Sequence, residues 1–175
     1  MGKLAKNDFK TRYAGSYLGI VWAFIQPVIT ILVYWFVFSV GFRSGTGDLG
    51  VPFVLYLVAG IVPWFFFQDA LIGGTNSLLE YNYLVKKVVF NISVLPVVKI
   101  ISAMFVHAFF VLFTIILYAA YGKFPDIYYL QIIYYSGCVF LLVLGLSYAT
   151  SAIVIFFRDL TQIINIVLQV GVWLT

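Results

Sequence analysis

Few residues of this chain could do chemistry, and where they stand excludes most reactions. Zinc sites need clustered His and Cys. Here one histidine, His107, and one cysteine, Cys138, each stand alone inside an apolar run. Nucleotide hydrolysis needs a glycine-rich loop closing on Gly-Lys-Ser or Gly-Lys-Thr to cradle phosphates, and the sequence contains none. His107 reads as a helix-packing hydrogen bond, with a proton relay as the alternative. Cys138 reads as a small core residue with no disulfide framework around it. Asp69 is the sole acid within any apolar run long enough to cross a bilayer, and it falls at one end of its run. Such a chain has no evident means of breaking bonds or of drawing on an ion gradient. It is expected not to be an enzyme, to hold no metal, and to be driven from outside.

Two groups of residues could pass on such a drive or receive a cargo. Between Ser77 and Val89, Glu80, Tyr81, Tyr83, Leu84, Lys86 and Lys87 combine aromatic and ionic side chains. Glu80, Lys86 and Lys87 keep this segment out of the bilayer, since each charge at its centre costs roughly 2.5–3.5 kcal/mol. The segment reads as a short helix outside the membrane. It suits the socket of a soluble partner, or a surface held by anionic lipid at about 1 kcal/mol per lysine. The second group is aromatic: Trp22, Tyr34, Trp35, Trp64 and Phe67. These read either as interfacial belts or as the wall of a sugar path, because pyranose faces stack on rings while their hydroxyls stay solvated.

The elements that position these residues follow from composition. Of 175 residues, 64% are hydrophobic and 9% charged, against roughly 25% charged in soluble domains. The fold class is therefore an all-α polytopic membrane bundle, read as one domain over residues 1–175. The stretch NDFKTRYAGSYLGIVWAFIQP, Asn7 to Pro27, organises the entry. Leu4 or Ala5, Phe9, Tyr13 and Tyr17 recur at helical spacing among Lys3, Lys6, Asn7 and Lys10, the pattern of a helix on a membrane surface over residues 1–19. Asp8 and Arg12, four apart, form a favourable pair on that helix. Gly15 and Gly19 allow a bend into the bilayer.

Spans of about 20 apolar residues are expected at 20–42, 52–72, 97–121 and 128–156, with an incomplete fifth at 160–175. Pro27 lies in the first span, a kink is expected at Gly60 and Pro63, and Lys99 snorkels to the interface. Eight Lys and Arg fall in the N-terminal segment, the long second loop with Lys99, and the Arg158 turn; two, Arg43 and Lys123, fall in the other loops. Positive charge thus puts the N-terminus in the cytoplasm. The net charge of +4 belongs to this asymmetry and is no nucleic-acid footprint. No cleavable signal peptide is evident.

Four ordered blocks resemble one family. They are Asp8-Phe9-Lys10 to Arg12-Tyr13 with Gly15-Ser16, Leu18-Gly19 and Trp22 to Pro27; Gly60-Ile61-Val62-Pro63-Trp64-Phe65; Leu84 to Phe90 with Leu95-Pro96; and Phe156-Phe157-Arg158-Asp159. Together they resemble the membrane subunit of polysaccharide-exporting ABC transporters, the permeases for O-antigen, capsule and teichoic acid. The resemblance implies a permease homodimer in the bacterial cytoplasmic membrane beside two ATP-binding subunits, which hold the ATP and Mg. It implies a gate at the N-terminal helix (Asp8, Phe9, Arg12, Tyr13). It further implies coupling to the ATPase through the Ser77 to Val89 helix near Arg158 and Asp159, and a membrane-delivered glycan moving along an aromatic path. Asn91 stands where the family has Pro. The family has six spans, so the chain reads as C-terminally truncated. The alternatives are a drug or lipid permease of the same class, or a non-transporting scaffold.

Overall fold

The structure, a computed structural model, describes residues 2–12, 17–41, 52–81, 93–123 and 126–174. Among these every regular element is helical: α1 Gly2–Arg12, α2 Trp22–Phe36, α3 Phe53–Glu80, α4 Val94–Ala120, α5 Leu130–Phe156 and α6 Leu160–Leu174. A 3₁₀ turn, Gly19–Val21, leads into α2, and a π-helical turn, Val37–Gly41, continues it. Gly19 has φ 49°, a left-handed conformation that glycine adopts at no steric cost, so the expected bend into the first span is present there. Residues 13–16, including Gly15 and Tyr13, lie outside the described residues.

Among the described residues four helical stretches are long and apolar enough to cross a membrane: Gly19–Gly41, Phe53–Glu80, Val94–Ala120 and Ile127–Phe156. Leu160–Leu174 is a shorter apolar helix. The outward faces carry large apolar side chains in quantity, among them Leu32, Phe36, Tyr56, Leu112, Ile133 and Leu141, as expected where acyl chains replace water. The chain is a multi-pass membrane protein.

The second span departs from expectation. It was expected to end at 72, with a separate surface helix from 77, but α3 runs unbroken to Glu80. Gly73, Gly74, Thr75 and Ser77 are buried on its inner face. Small residues let neighbouring backbones approach, and polar ones bond across. Thr75 Oγ1 meets Thr150 Oγ1 of α5 at 2.7 Å, and Thr161 Oγ1 of α6 donates to Asn76 Oδ1 at 2.8 Å. Those contacts hold the chain helical past the point where hydropathy falls. Of the expected coupling helix, Ser77 to Glu80 form the last turn of α3, and residues 82–92 lie outside the described residues. Pro27 and Pro63 both sit inside helices.

The long α3 is the axis of the bundle. One side packs on α4 and α5 through Phe66, Ala70, Leu71, Ile100, Ala103 and Val143, with Leu168 of α6 closing the cluster. Further along, Val58, Ile61 and Val62 pack with Ile31 of α2 and Phe110 of α4. Cys138 is exposed on α5. The core position expected for it is instead filled by Val139 and Phe140, which lean against the cluster.

Candidate functional site: a charged clamp and an aromatic cavity

The ionic residues that the sequence scatters over 91 positions, from Asp8 to Lys99, converge at one end of the bundle. Lys99 Nζ lies 2.8 Å from Asp8 Oδ1 and 2.6 Å from Glu80 Oε2. The Lys99 and Asp8 side chains are only 6% and 4% exposed, whereas that of Glu80 is 52% exposed. Tyr81 donates its hydroxyl to Asp8 Oδ1, and its ring lies 5.1 Å from Lys99 Nζ, within cation–π range. Asp8 Oδ2 is buried without a hydrogen-bond partner among the described residues.

Arg12, one turn further along α1, donates Nη1 to both oxygens of Asp69 at 2.9 and 2.8 Å. A Cβ placed on Gly73 would lie 3.0 Å from Arg12 Nη2 and 3.7 Å from Lys99 Cβ. Glycine at 73 therefore lets α1 and α4 close on α3.

This corrects three expectations. Asp8 and Arg12 do not pair along α1; each reaches a different partner on another helix. Asp8 is buried together with Lys99, whereas Arg12 makes a two-oxygen contact with Asp69, whose side chain is 45% exposed. Lys99 does extend toward the end of the bundle, but it ends under α1 in an ion triad instead of in headgroups or water. The N-terminal helix was expected to lie on the bilayer by an apolar face, yet its inner face is charged or small and docks on protein. Phe9 makes an apolar contact there, a tilted ring pair with Phe105 of α4 at 6.2 Å.

The turn carrying Arg158 and Asp159 is exposed. The Thr161 to Asn76 bond draws it to the side of α3's last turn, the end that also carries Glu80. Tyr83, Leu84, Lys86 and Lys87 lie outside the described residues.

Beside the clamp, α2, α3, α4 and α6 line a half-open cavity of about 530 Å³. Trp22, Tyr34 and Trp64 line it, together with Trp173 and three glutamines, Gln26, Gln68 and Gln169. Asp69 and His107 form part of its wall. Tyr34 and Trp173 meet edge to face at 6.0 Å. Trp64 is fixed by close approach to α6: a Cβ on Gly171 would lie 2.8 Å from its ring. Phe67, 5.7 Å from Trp64, belongs to a second and more apolar cavity of about 830 Å³ that shares Tyr34, Trp64 and Trp173. Trp35 lines neither and is exposed. The aromatic residues singled out in sequence thus separate into four that line cavities and one that faces outward.

His107 makes the hydrogen bond expected of a packing histidine, Nε2 to Ser136 Oγ at 3.1 Å, and stacks near Phe66 at 4.6 Å. Sequence reasoning missed the three glutamines and Trp173. An amide standing within each of three otherwise apolar helices was the signal. It also marked the positions of Asp69 and Lys99 without their partners. Among the described residues no His, Cys, Asp and Glu group is arranged to hold a metal.

A family model described as ABC-2 type transporter matches residues 2–175. An O-antigen export system permease protein RfbA of Myxococcus xanthus is 29% identical over 165 residues, covering 93% of this chain and 61% of that protein. Two proteins of the same name from Klebsiella pneumoniae are 28% identical over 171 residues and 24% over 167, each covering 93% of this chain and 62% of its own length. The chain therefore spans about three-fifths of the length of the curated relatives it matches. An all-helical bundle with four membrane-length helices, an N-terminal helix clamped beneath them, and a family match across the whole length agree: the chain belongs to the ABC-2 type transporter family.

Proposed function

We propose that this chain is the membrane subunit of an ATP-driven exporter that moves polysaccharide or lipid-linked glycan outward across the bacterial cytoplasmic membrane. It works as a homodimer beside an ATP-binding subunit that holds the nucleotide and Mg. The N-terminus, the segment at 82–92 and the Arg158 turn face the cytoplasm. This sidedness is supported by eight Lys and Arg on that side against two on the other. The relatives are named as O-antigen export permeases, which supports a glycan cargo.

The observation that carries the reading is the wall of the 530 Å³ cavity. Rings at Trp22, Tyr34, Trp64 and Trp173 and amides at Gln26, Gln68 and Gln169 line the same cavity. Rings accept the apolar faces of a pyranose, and amides both donate to and accept from its hydroxyls. Drive enters at the last turn of α3. A push on residues 82–92 reaches Glu80 and Tyr81, and through Lys99 and Asp8 it reaches α1.

The test uses the full-length protein with its ATP-binding subunit in inverted vesicles. Lys86→Glu combined with Lys87→Glu should leave ATP hydrolysis running while glycan export falls at least tenfold. Undiminished export in that variant would overturn the assignment. A second reading, export of a lipid or apolar drug, is favoured by the apolar walls of the 830 Å³ cavity, such as Phe38, Phe53 and Leu57. Transport of labelled apolar cargo with no transport of glycan would select it.

A further inference from the structure

At about 100° per residue, α1 has two opposed faces. Ala5, Asp8 and Arg12 share one, and it is consumed by α3 and α4: Ala5 is fully buried, Asp8 is held by Lys99, and Arg12 is held by Asp69. Phe9, at the edge of that face, touches Phe105, whose ring is 46% exposed on the lipid-facing flank of α4. Lys3, Lys6 and Lys10 lie on the opposite face. All three are exposed, no acid shares that face, and among the described residues none meets a carboxylate.

The depth of this face follows from helix length. With 27 residues, α4 is about 40 Å long, roughly 10 Å more than the hydrocarbon core. Phe105 lies eleven residues in from Val94, about 16 Å. The Phe9–Phe105 contact is therefore roughly 6–11 Å inside the core boundary; the opposite face of α1 is about 10 Å away across the helix, from where lysine stems snorkel to the headgroups.

We propose that Lys3, Lys6 and Lys10 form a docking face for the anionic headgroups of phospholipids in the leaflet beside α1. The sequence pattern suggested adhesion by an apolar face. With that face spent on protein ion pairs, the helix meets the membrane by charge, and the ring pair of Phe9 with Phe105 sets its depth. Charge complementarity names the occupant. Three lysines without counter-ions sit where anionic headgroups are dense, and each attracts such lipid several-fold at low ionic strength. The inference is independent of what the chain transports.

The chain is reconstituted in bilayers of equal phosphatidylglycerol and phosphatidylcholine. The motionally restricted fraction of spin-labelled phosphatidylglycerol is compared with that of spin-labelled phosphatidylcholine. A preference of about three- to fivefold for the anionic lipid is expected at low salt, falling toward unity near 1 M NaCl, where the screening length is about 3 Å. Lys3→Gln with Lys6→Gln and Lys10→Gln should lose most of that preference, while Lys3→Arg with Lys6→Arg and Lys10→Arg should keep it. All six changes are at exposed positions, so the fold survives them. A Gln variant as selective as the unaltered chain would overturn the proposal. So would an unaltered chain without salt-sensitive preference, the outcome expected if these lysines instead served an acidic soluble protein.

Discussion

Lys99 holds two carboxylates, but not equally. Asp8 is sealed beneath α1, and Glu80 is half in water. Removing the ammonium leaves Asp8 buried without its counter-ion, and an unpaired buried charge costs about 3–5 kcal/mol. Lys99→Met should therefore lower the unfolding midpoint sharply in thermal melts in detergent. Adding Asp8→Asn should recover most of the loss, because the stranded charge is gone. Glu80→Gln, at the exposed arm, should cost less than about 1 kcal/mol. A melt in which Glu80→Gln equals Lys99→Met would show that the triad is not organised around Asp8. His107 has a packing role: its bond to Ser136 and its stack on Phe66 are what it supplies. His107→Gln should preserve export in the full-length transporter while costing about 1 kcal/mol of stability. Loss of export with unchanged stability would point to a proton relay instead.

At the scale of elements, α3 sets the geometry. Its extension to Glu80 depends on side chains small enough to let α5 approach. A Cβ on Gly74 would sit 2.6 Å from Ser147 Cβ, closer than real contacts allow. Gly74→Ala should thus destabilise by about 1–3 kcal/mol and push α5 away from α3. Pairing it with Ser147→Gly should restore the melt. If Gly74→Ala alone melts like the unaltered chain, α3 and α5 are not in the register described. The same element carries Asp69 and Glu80 three turns apart, and α1 spans the distance with Arg12 and Asp8. Hydropathy favoured a break after residue 72, because a falling apolar content is the usual sign of a helix leaving the bilayer. The polar residues responsible, Thr75, Asn76 and Ser77, are instead bonded to α5, to α6 or within α3, and so they lengthen the helix.

For the whole molecule, sidedness is the property that every functional statement depends on. In a Cys138→Ala background, Lys86→Cys and Arg158→Cys should react with impermeant maleimide only from the side of the N-terminus, and Lys123→Cys only from the other. Labelling of Lys86→Cys from outside intact cells would invert the topology and remove the proposed lever from reach of a cytoplasmic ATPase.

Class, family and four apolar crossings were legible in the sequence, although the second helix runs on to Glu80, eight residues past its expected end. These depend on composition and on one-dimensional runs: the bilayer imposes a length on apolar helices whatever they pack against. His107 as a packing residue was legible for the same reason, since one imidazole in an apolar run has few other uses. Who meets whom was settled by packing. Asp8 and Arg12 are four apart in sequence, yet they bond to Lys99 and Asp69, 91 and 57 residues distant. Trp35 and Trp64 are alike in composition, yet one faces outward and the other a cavity shared with α6. An ion pair or a cavity wall is a relation between helices. Its partners are chosen by the packing of small residues such as Gly73, Gly74 and Gly171, and nothing in the local sequence at either partner records that choice.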